Sequence, residues 1–354
     1  MAEGAVWMPP EWHPQDWIWI GFPHDPVEWP GFLGRAQEQI AAFANAVAES
    51  GQQVRLIVRD EANRARAAAL CSAAVQLEVR LLVRDDANEA RARSLVSSKV
   101  SLERRVYGDV WLRDTGPLVV RVGGKPVGQR FGFNGWGGKY LMDGDQEIGA
   151  ELAESAGLPV ALADWILEGG ALDCDGTGVV ATTEQCLLNP NRNPQLSRSD
   201  LEARLARDLG FDRVLWLGDG LINDHTDGHV DNLARFVAPG VLAVPRPSGA
   251  DDPNAAIYAD ATARAEAFGL KVAEVPSPGR VESEGGRIEP ASYMNFAVTS
   301  NVVVVPTYGT KHDEEGVAAI QALFPDRAVV GVLADAVLAG GGSFHCASQQ
   351  MPRF

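Results

Sequence analysis

The chain has little sulfur and little positive charge. It holds four cysteines, Cys71, Cys174, Cys186 and Cys346, and no Cys-x-x-Cys pair. A chain of 354 residues buries enough core to need no covalent staples, so a reduced compartment is expected. Lys plus Arg number 31 against 47 Asp plus Glu, a formal net charge of −16. That balance speaks against gripping nucleic acid through its phosphates and favours cationic small molecules as partners. No apolar run is long enough to cross a bilayer. No basic stretch followed by an apolar run opens the sequence, and a cytoplasmic location is expected. There is no Walker A loop and no Gly-x-Ser-x-Gly elbow. No Gly/Ser-rich or Pro-rich linker divides the chain, so one catalytic domain over 1–354 is expected. With 46% hydrophobic and 22% charged residues, disorder, collagen and coiled coil are excluded as the main architecture.

What the sequence does hold is an alternation of helices with groups of strands. Ile40, Phe43, Ala44 and Val47 line one face of a helix from Arg35 to Ser50. Asp60 caps another through Leu70, and Ala/Arg-rich residues suggest a third near Asp86 to Ser97. Further helices are expected at Gln146–Gly157, Ser197–Gly210, Asn254–Gly269 and Asp313–Phe324, the last opening on acids that suit its dipole. Strands are expected at Gln53–Arg59, Val75–Arg84, Trp111–Val122, Val179–Leu188, Arg213–Gly218, Asp231–Arg246, Tyr293–Pro306, Ala328–Leu333 and Phe344–Gln349. The Trp- and Pro-rich opening segment reads as extended chain packed on the body. Asp175-Gly176 and Gly123-Gly124 read as hairpin turns. The run Gly176-Thr177-Gly178-Val179-Val180-Ala181 therefore only mimics a dinucleotide fingerprint, which needs a helix after it. Pairs and triples of strands between helices suit a ring of mixed α/β units around a channel better than a doubly wound sheet.

Four polar clusters stand out. In Asn223-Asp224-His225-Thr226-Asp227-Gly228-His229-Val230-Asp231-Asn232, a strand starting at Gly228 would place His229 and Asp231 on one face, roughly 7 Å apart. That pairs a general base with an electrostatic anchor. The alternation of His225, Asp227, His229 and Asp231 also fits a metal-dependent hydrolase, and a solvated polar loop is a third reading. Cys346 follows Gly340-Gly341-Gly342 and reads as a reachable nucleophile, whereas Cys71, Cys174 and Cys186 read as inert core. Asp114 reads as the end of a strand, with an Asx turn or a salt bridge to Arg113 as alternatives. Glu168 stands at a strand-to-glycine junction. One Cys, one His and three carboxylates suggest covalent chemistry on a planar cation, and a guanidinium is the group that carboxylates match in bidentate fashion.

The sequence resembles the agmatine deiminase family, related to bacterial peptidylarginine deiminases within the guanidine-modifying pentein superfamily. The segments that carry the resemblance are Met8-Pro9-Pro10-Glu11-Trp12, Trp111-Leu112-Arg113-Asp114-Thr115-Gly116-Pro117, Phe133-Asn134-Gly135-Trp136-Gly137-Gly138-Lys139-Tyr140, Leu167-Glu168-Gly169-Gly170 and Cys186-Leu187-Leu188-Asn189-Pro190-Asn191-Arg192-Asn193-Pro194. They continue in order with Thr226-Asp227-Gly228-His229-Val230-Asp231-Asn232, Ala291-Ser292-Tyr293-Met294-Asn295-Phe296 and Gly340-Gly341-Gly342-Ser343-Phe344-His345-Cys346. The resemblance implies a five-bladed α/β propeller of ββαβ-type repeats. It implies hydrolysis of agmatine to N-carbamoylputrescine and ammonia without metal or organic cofactor; a homodimer is compatible with it, and the product would feed putrescine and polyamine biosynthesis or energy metabolism. By position, Cys346 would be the nucleophile and Asp114 and Asp231 the clamp on the guanidinium. His229 would transfer protons, Glu168 would orient it, and Trp111 and Asn295 would line the pocket. One departure is His225, which stands where many family members carry an acid. It keeps a related guanidine, such as the C-terminal arginine of a peptide, open as substrate.

Overall fold

The computed structural model describes residues 5–72, 75–79 and 107–354. The helix expected near Asp86 to Ser97, and any continuation of the strand beyond Val79, lie outside them.

Five small sheets repeat one plan. An antiparallel strand pair leads through a helix to a strand parallel to the second of the pair. In the first sheet Leu118–Val122 and Lys125–Gly132 form the hairpin, turned at Gly123-Gly124 as expected. The helix Ile148–Ser155 then carries the chain to Val160–Ile166, and Val6–Trp7 adds an edge. The second sheet pairs Asp173–Cys174 with Val179–Thr183 and crosses by the helix Arg198–Leu209 to Arg213–Leu217. The third joins Arg235–Ala238, Val241–Arg246 and Lys271–Pro276 through Ala255–Phe268. The fourth joins Ala297–Val298, Val302–Thr307 and Ala328–Leu333 through Asp313–Leu323. The fifth is built from both ends of the described chain. Ser348–Pro352 pairs antiparallel with Gln15–Gly21, which continues in parallel to Gln53–Val58 and Gln76–Val79. The architecture is the five-bladed α/β propeller, with parallel crossovers that demand a helix and antiparallel pairs that need only a tight turn.

The long helices fall where periodicity places them, with local signals at their ends. Asp60 accepts a hydrogen bond from the Asn63 N–H at 2.8 Å to cap Glu61–Leu70. Ser197 and Asp200 form a reciprocal capping box, and Gly210, at φ 80°, ends that helix in the left-handed region that glycine tolerates.

Five strand expectations need correction. Leu112–Thr115, Glu184–Leu187 and Val230–Leu233 are single helical turns, and Tyr293–Asn295 is a 3-10 turn. The closing strand starts at Ser348, not Phe344, so Cys346 lies on a turn. Each turn satisfies its own backbone: Thr115 N–H donates to Trp111 O, Ala234 N–H to Val230 O, and Ala347 N–H to Ser343 O. The short elements matter because of where they fall. Asp114, Glu168, His229 with Asp231, Asn295 and Cys346 each sit just before the first hairpin strand of one of the five blades. These turns pack against one another, so five separated segments of chain meet.

Candidate active site

A cavity of about 260 Å³ opens at this meeting point. Trp111, Trp136, Tyr140, Met142 and Phe32 give it aromatic and apolar walls, and Asp114 and Cys346 lie among its lining. Glu168, His229, Asp231 and Asn295 are buried close by and do not line it. For Asn295 this corrects the expected place in the pocket wall. Its side chain instead donates to Cys346 Sγ at 3.1 Å and to Asn232 Oδ1 at 2.9 Å, while its Oδ1 accepts from the N–H groups of His345 and Cys346. Trp111 does line the cavity and stacks on Trp29 with ring centroids 5.7 Å apart.

The predicted acids, imidazole and sulfur converge. Cys346 Sγ is 3.6 Å from Asp231 Oδ2, and His229 Nδ1 is 3.7 Å from Asp114 Oδ1. Gly170 sits between them: a Cβ placed there would lie 2.6 Å from His229 Nδ1, 2.8 Å from Asp114 Oδ1 and 3.1 Å from Asp231 Oδ2. The absent side chain leaves room for the three groups, and the Gly170 N–H holds Asp114 Oδ1 at 2.8 Å. Asp114 does not pair with Arg113, as one sequence reading had it. Its other oxygen accepts from Trp136 Nε1 at 2.9 Å. Trp136 reaches it from a left-handed backbone, φ 53°, in a turn where Asn134 caps the Gly137 N–H. Such strain in a non-glycine residue is tolerated where the surroundings enforce it, as at functional sites.

His229 caps a turn and Asp231 lies inside it, so the expected shared strand face does not form. The His229 N–H donates to Thr226 Oγ1 at 3.1 Å. Glu168 and His229 make no direct hydrogen bond: Glu168 Oε1 accepts from Arg192 Nε at 2.7 Å, while its Oε2 has no hydrogen-bond partner among the described residues and the imidazole faces Asp114 as an ion pair. Arg192 also donates to Thr226 O and Asp227 Oδ2, tying Glu168 to the His229 loop.

That pairing undoes the four-ligand metal reading. Asp227 is engaged by Arg192, Lys139 and Asn191, and His225 contacts Arg287 at 2.8 Å and stacks on Tyr140. Among the described residues, the trio whose ligand atoms lie within 4.8 Å of one another is Glu168, Cys186 and His229. Cys186, read from sequence as inert core, is therefore a neighbour of the imidazole.

Burial and charge set the protonation of the site. Burial pushes the Cys346 thiol well up, and the carboxylates of Asp231 and Asp114 push it further. Burial also raises Asp114, with Asp231 and Glu168 nearby, against His229 and the Trp136 hydrogen bond. Burial alone would lower His229, but Asp114, Cys186 and Asp231 raise it well above the ordinary imidazole range. These shifts favour a neutral Cys346 thiol and a protonated His229 imidazole.

Sequence reasoning missed Glu11, Arg192, Arg235, Trp136 and His345 as individual contributors. Glu11, Arg192, Trp136 and His345 lie inside the quoted segments, which was the available signal.

The profile of the Porphyromonas-type peptidyl-arginine deiminases matches residues 7–352. The agmatine deiminase of Stutzerimonas stutzeri is 34% identical over 99% of this chain and 96% of its own. That of Pseudomonas fluorescens is 32% identical over 98% and 95%. The solved agmatine deiminase of Enterococcus faecalis superposes with a TM-score of 0.85 at 30% identity, covering 100% of this chain and 98% of that one. The C. jejuni agmatine deiminase with substrate bound gives 0.85 at 26% identity over 98% and 96%. An amidinotransferase from Microseira wollei, at 12% identity and a TM-score of 0.55, shares the fold alone. The chain belongs to the Porphyromonas-type peptidyl-arginine deiminase family, and its full-length relatives include agmatine deiminases.

Proposed function

We propose that this protein is a guanidine deiminase that hydrolyses agmatine to N-carbamoylputrescine and ammonia through a covalent intermediate on Cys346. The observation that carries the reading is the convergence of Cys346, His229, Asp114 and Asp231 at one end of an aromatic cavity. The agmatine deiminase relatives supply the substrate.

The guanidinium enters as a planar cation and is held by Asp114 and Asp231, its carbon facing the sulfur. Its positive charge offsets the two carboxylates that keep Cys346 protonated, so the thiol releases its proton to solvent on binding. The thiolate attacks the guanidinium carbon. Protonated His229 donates to the leaving amino group, the C–N bond breaks, and ammonia departs from an S-alkylthiouronium. Neutral His229 then removes a proton from water. The oxygen adds to the same carbon, the C–S bond breaks, and the hydroxyl proton returns to the departing thiolate, releasing the neutral ureido product and the resting thiol. Glu168, itself held by Arg192, supports the imidazole electrostatically from within 4.8 Å. N-carbamoylputrescine is a carbamoylated diamine, which is compatible with a role in polyamine biosynthesis.

Asp109 and Glu28, both in the cavity wall, favour a substrate with a cationic far end such as agmatine. A second reading rests on His225, which lines the same cavity with Arg287 against it and favours an anionic far end, as in a C-terminal arginine. Ammonia release from agmatine, free arginine and peptidyl arginine separates the two. Cys346→Ala is expected to abolish release while leaving the thermal unfolding profile unchanged, and full activity in that variant refutes the nucleophile.

A further inference from the structure

Behind the proposed chemistry runs a row of buried charges that the reaction does not consume. His345 immediately precedes the nucleophile. Its Nδ1 lies 2.7 Å from Asp231 Oδ2 and its Nε2 lies 3.0 Å from Glu11 Oε2. Carboxylate oxygens accept, so both ring nitrogens donate. Glu11 is held in turn by the Val298 N–H at 2.8 Å and by an ion pair with Arg235. Arg235 reaches on to Asp173 Oδ1 at 3.1 Å and donates to the carbonyls of Met294 and Phe296. Acids and bases alternate from Asp231 to Asp173, drawn from three blades and the opening segment.

The row ends on the substrate side with one oxygen unclaimed. Asp231 Oδ1 has no hydrogen-bond partner among the described residues, while Oδ2 is taken by His345 and faces the Cys346 sulfur. We propose that His345 is a positioning residue for deimination: as a cationic donor anchored by Glu11, it pins Asp231 Oδ2, balances its charge and leaves Oδ1 to meet the guanidinium. The inference rests on the reading that Asp231 grips the substrate.

Asp231 is faced from every side by charge or a titratable group: His345 from the nucleophile turn, His229 from its own turn, Asp114 and Arg113 from the first blade, Arg235 from the third, and the Cys346 thiol. Burial alone would raise its pKa; the His345 hydrogen bond and charge, followed by His229 and Arg235, hold it below the usual carboxylate range. A change at position 345 therefore reaches the reaction through the ionisation of Asp231. A merely structural role would not have that effect.

The test is His345→Gln, which keeps an N–H donor and removes the cation. With agmatine, kcat/KM is expected to fall about 100-fold from misplacement of the clamp. The acid limb of the pH profile is expected to move up by about one unit, because Asp231 then protonates more readily. A folded His345→Gln enzyme with wild-type kcat/KM and an unmoved acid limb overturns the proposal. If the variant does not fold, ¹⁵N-histidine NMR of the wild-type protein decides: two ring N–H resonances for His345 support it, and a single one overturns it. Asp231→Asn serves as the control. If it retains full activity, the clamp reading fails and this proposal with it. If it is inactive while His345→Gln is unaffected, only the positioning role fails.

Discussion

A methyl group at position 170 would have nowhere to go, since the side chains of His229, Asp114 and Asp231 already crowd the spot. Gly170→Ala must push His229 or Asp114 aside. The expected result is a loss of about 100-fold or more in kcat/KM, measured by ammonia release, with a smaller effect on unfolding temperature. Asp109 offers a second test. Burial pushes its carboxyl up to about 6, against the hydrogen bonds from the Val110 N–H and Trp29. As pH rises through that value the cavity gains a negative charge, so kcat/KM for a cation should rise with it. Asp109→Asn is expected to flatten that limb without lowering kcat. The legibility of single residues followed the same divide. Cys346, His229, Asp114, Asp231 and Glu168 stood out because polar groups at glycine-rich junctions have few structural uses. Glu11, Arg235 and His345 did not, because their meaning lies in partners far along the chain, which spacing does not reveal.

At the scale of elements, the long helices could be read from their periodicity and caps, whereas the single turns that carry the site could not. Four residues span barely one helical period, so Leu112–Thr115 and Val230–Leu233 carry the same apolar signature as strand. Their positions are enforced by contacts between blades. Thr183 is one such contact: its hydroxyl donates to Gly228 O at 2.6 Å and accepts from the Cys186 N–H at 3.2 Å. It thus ties the second blade to the loop that holds His229. Thr183→Val keeps the shape and strands the Gly228 carbonyl. A loss of about 1–2 kcal/mol is expected by denaturant titration, together with a fall in kcat/KM. Thr183→Ser should restore most of both.

For the whole molecule, alternating helices and strand groups pointed to a ring of α/β units, but the number of blades was not legible in periodicity. Blade count depends on which strands pair across the chain, and the resemblance supplied it where local pattern could not. Net charge acts at this scale too. With a formal charge of −16, the surface should draw in a cationic substrate. Raising salt from a low value to about 0.5 M is expected to raise KM for agmatine severalfold with kcat unchanged, since screening shortens the reach of the field.

The fifth blade joins Ser348–Pro352 to Gln15–Gly21, and Cys346, the proposed nucleophile, sits two residues before that seam. Competence is therefore expected late in folding. Four blades can acquire their helices and pockets while the sulfur is still adrift, and turnover begins only once the circle is latched. In refolding experiments, far-UV signal should return before ammonia release does. The interval between them times the fastening of one strand from each flank of the chain.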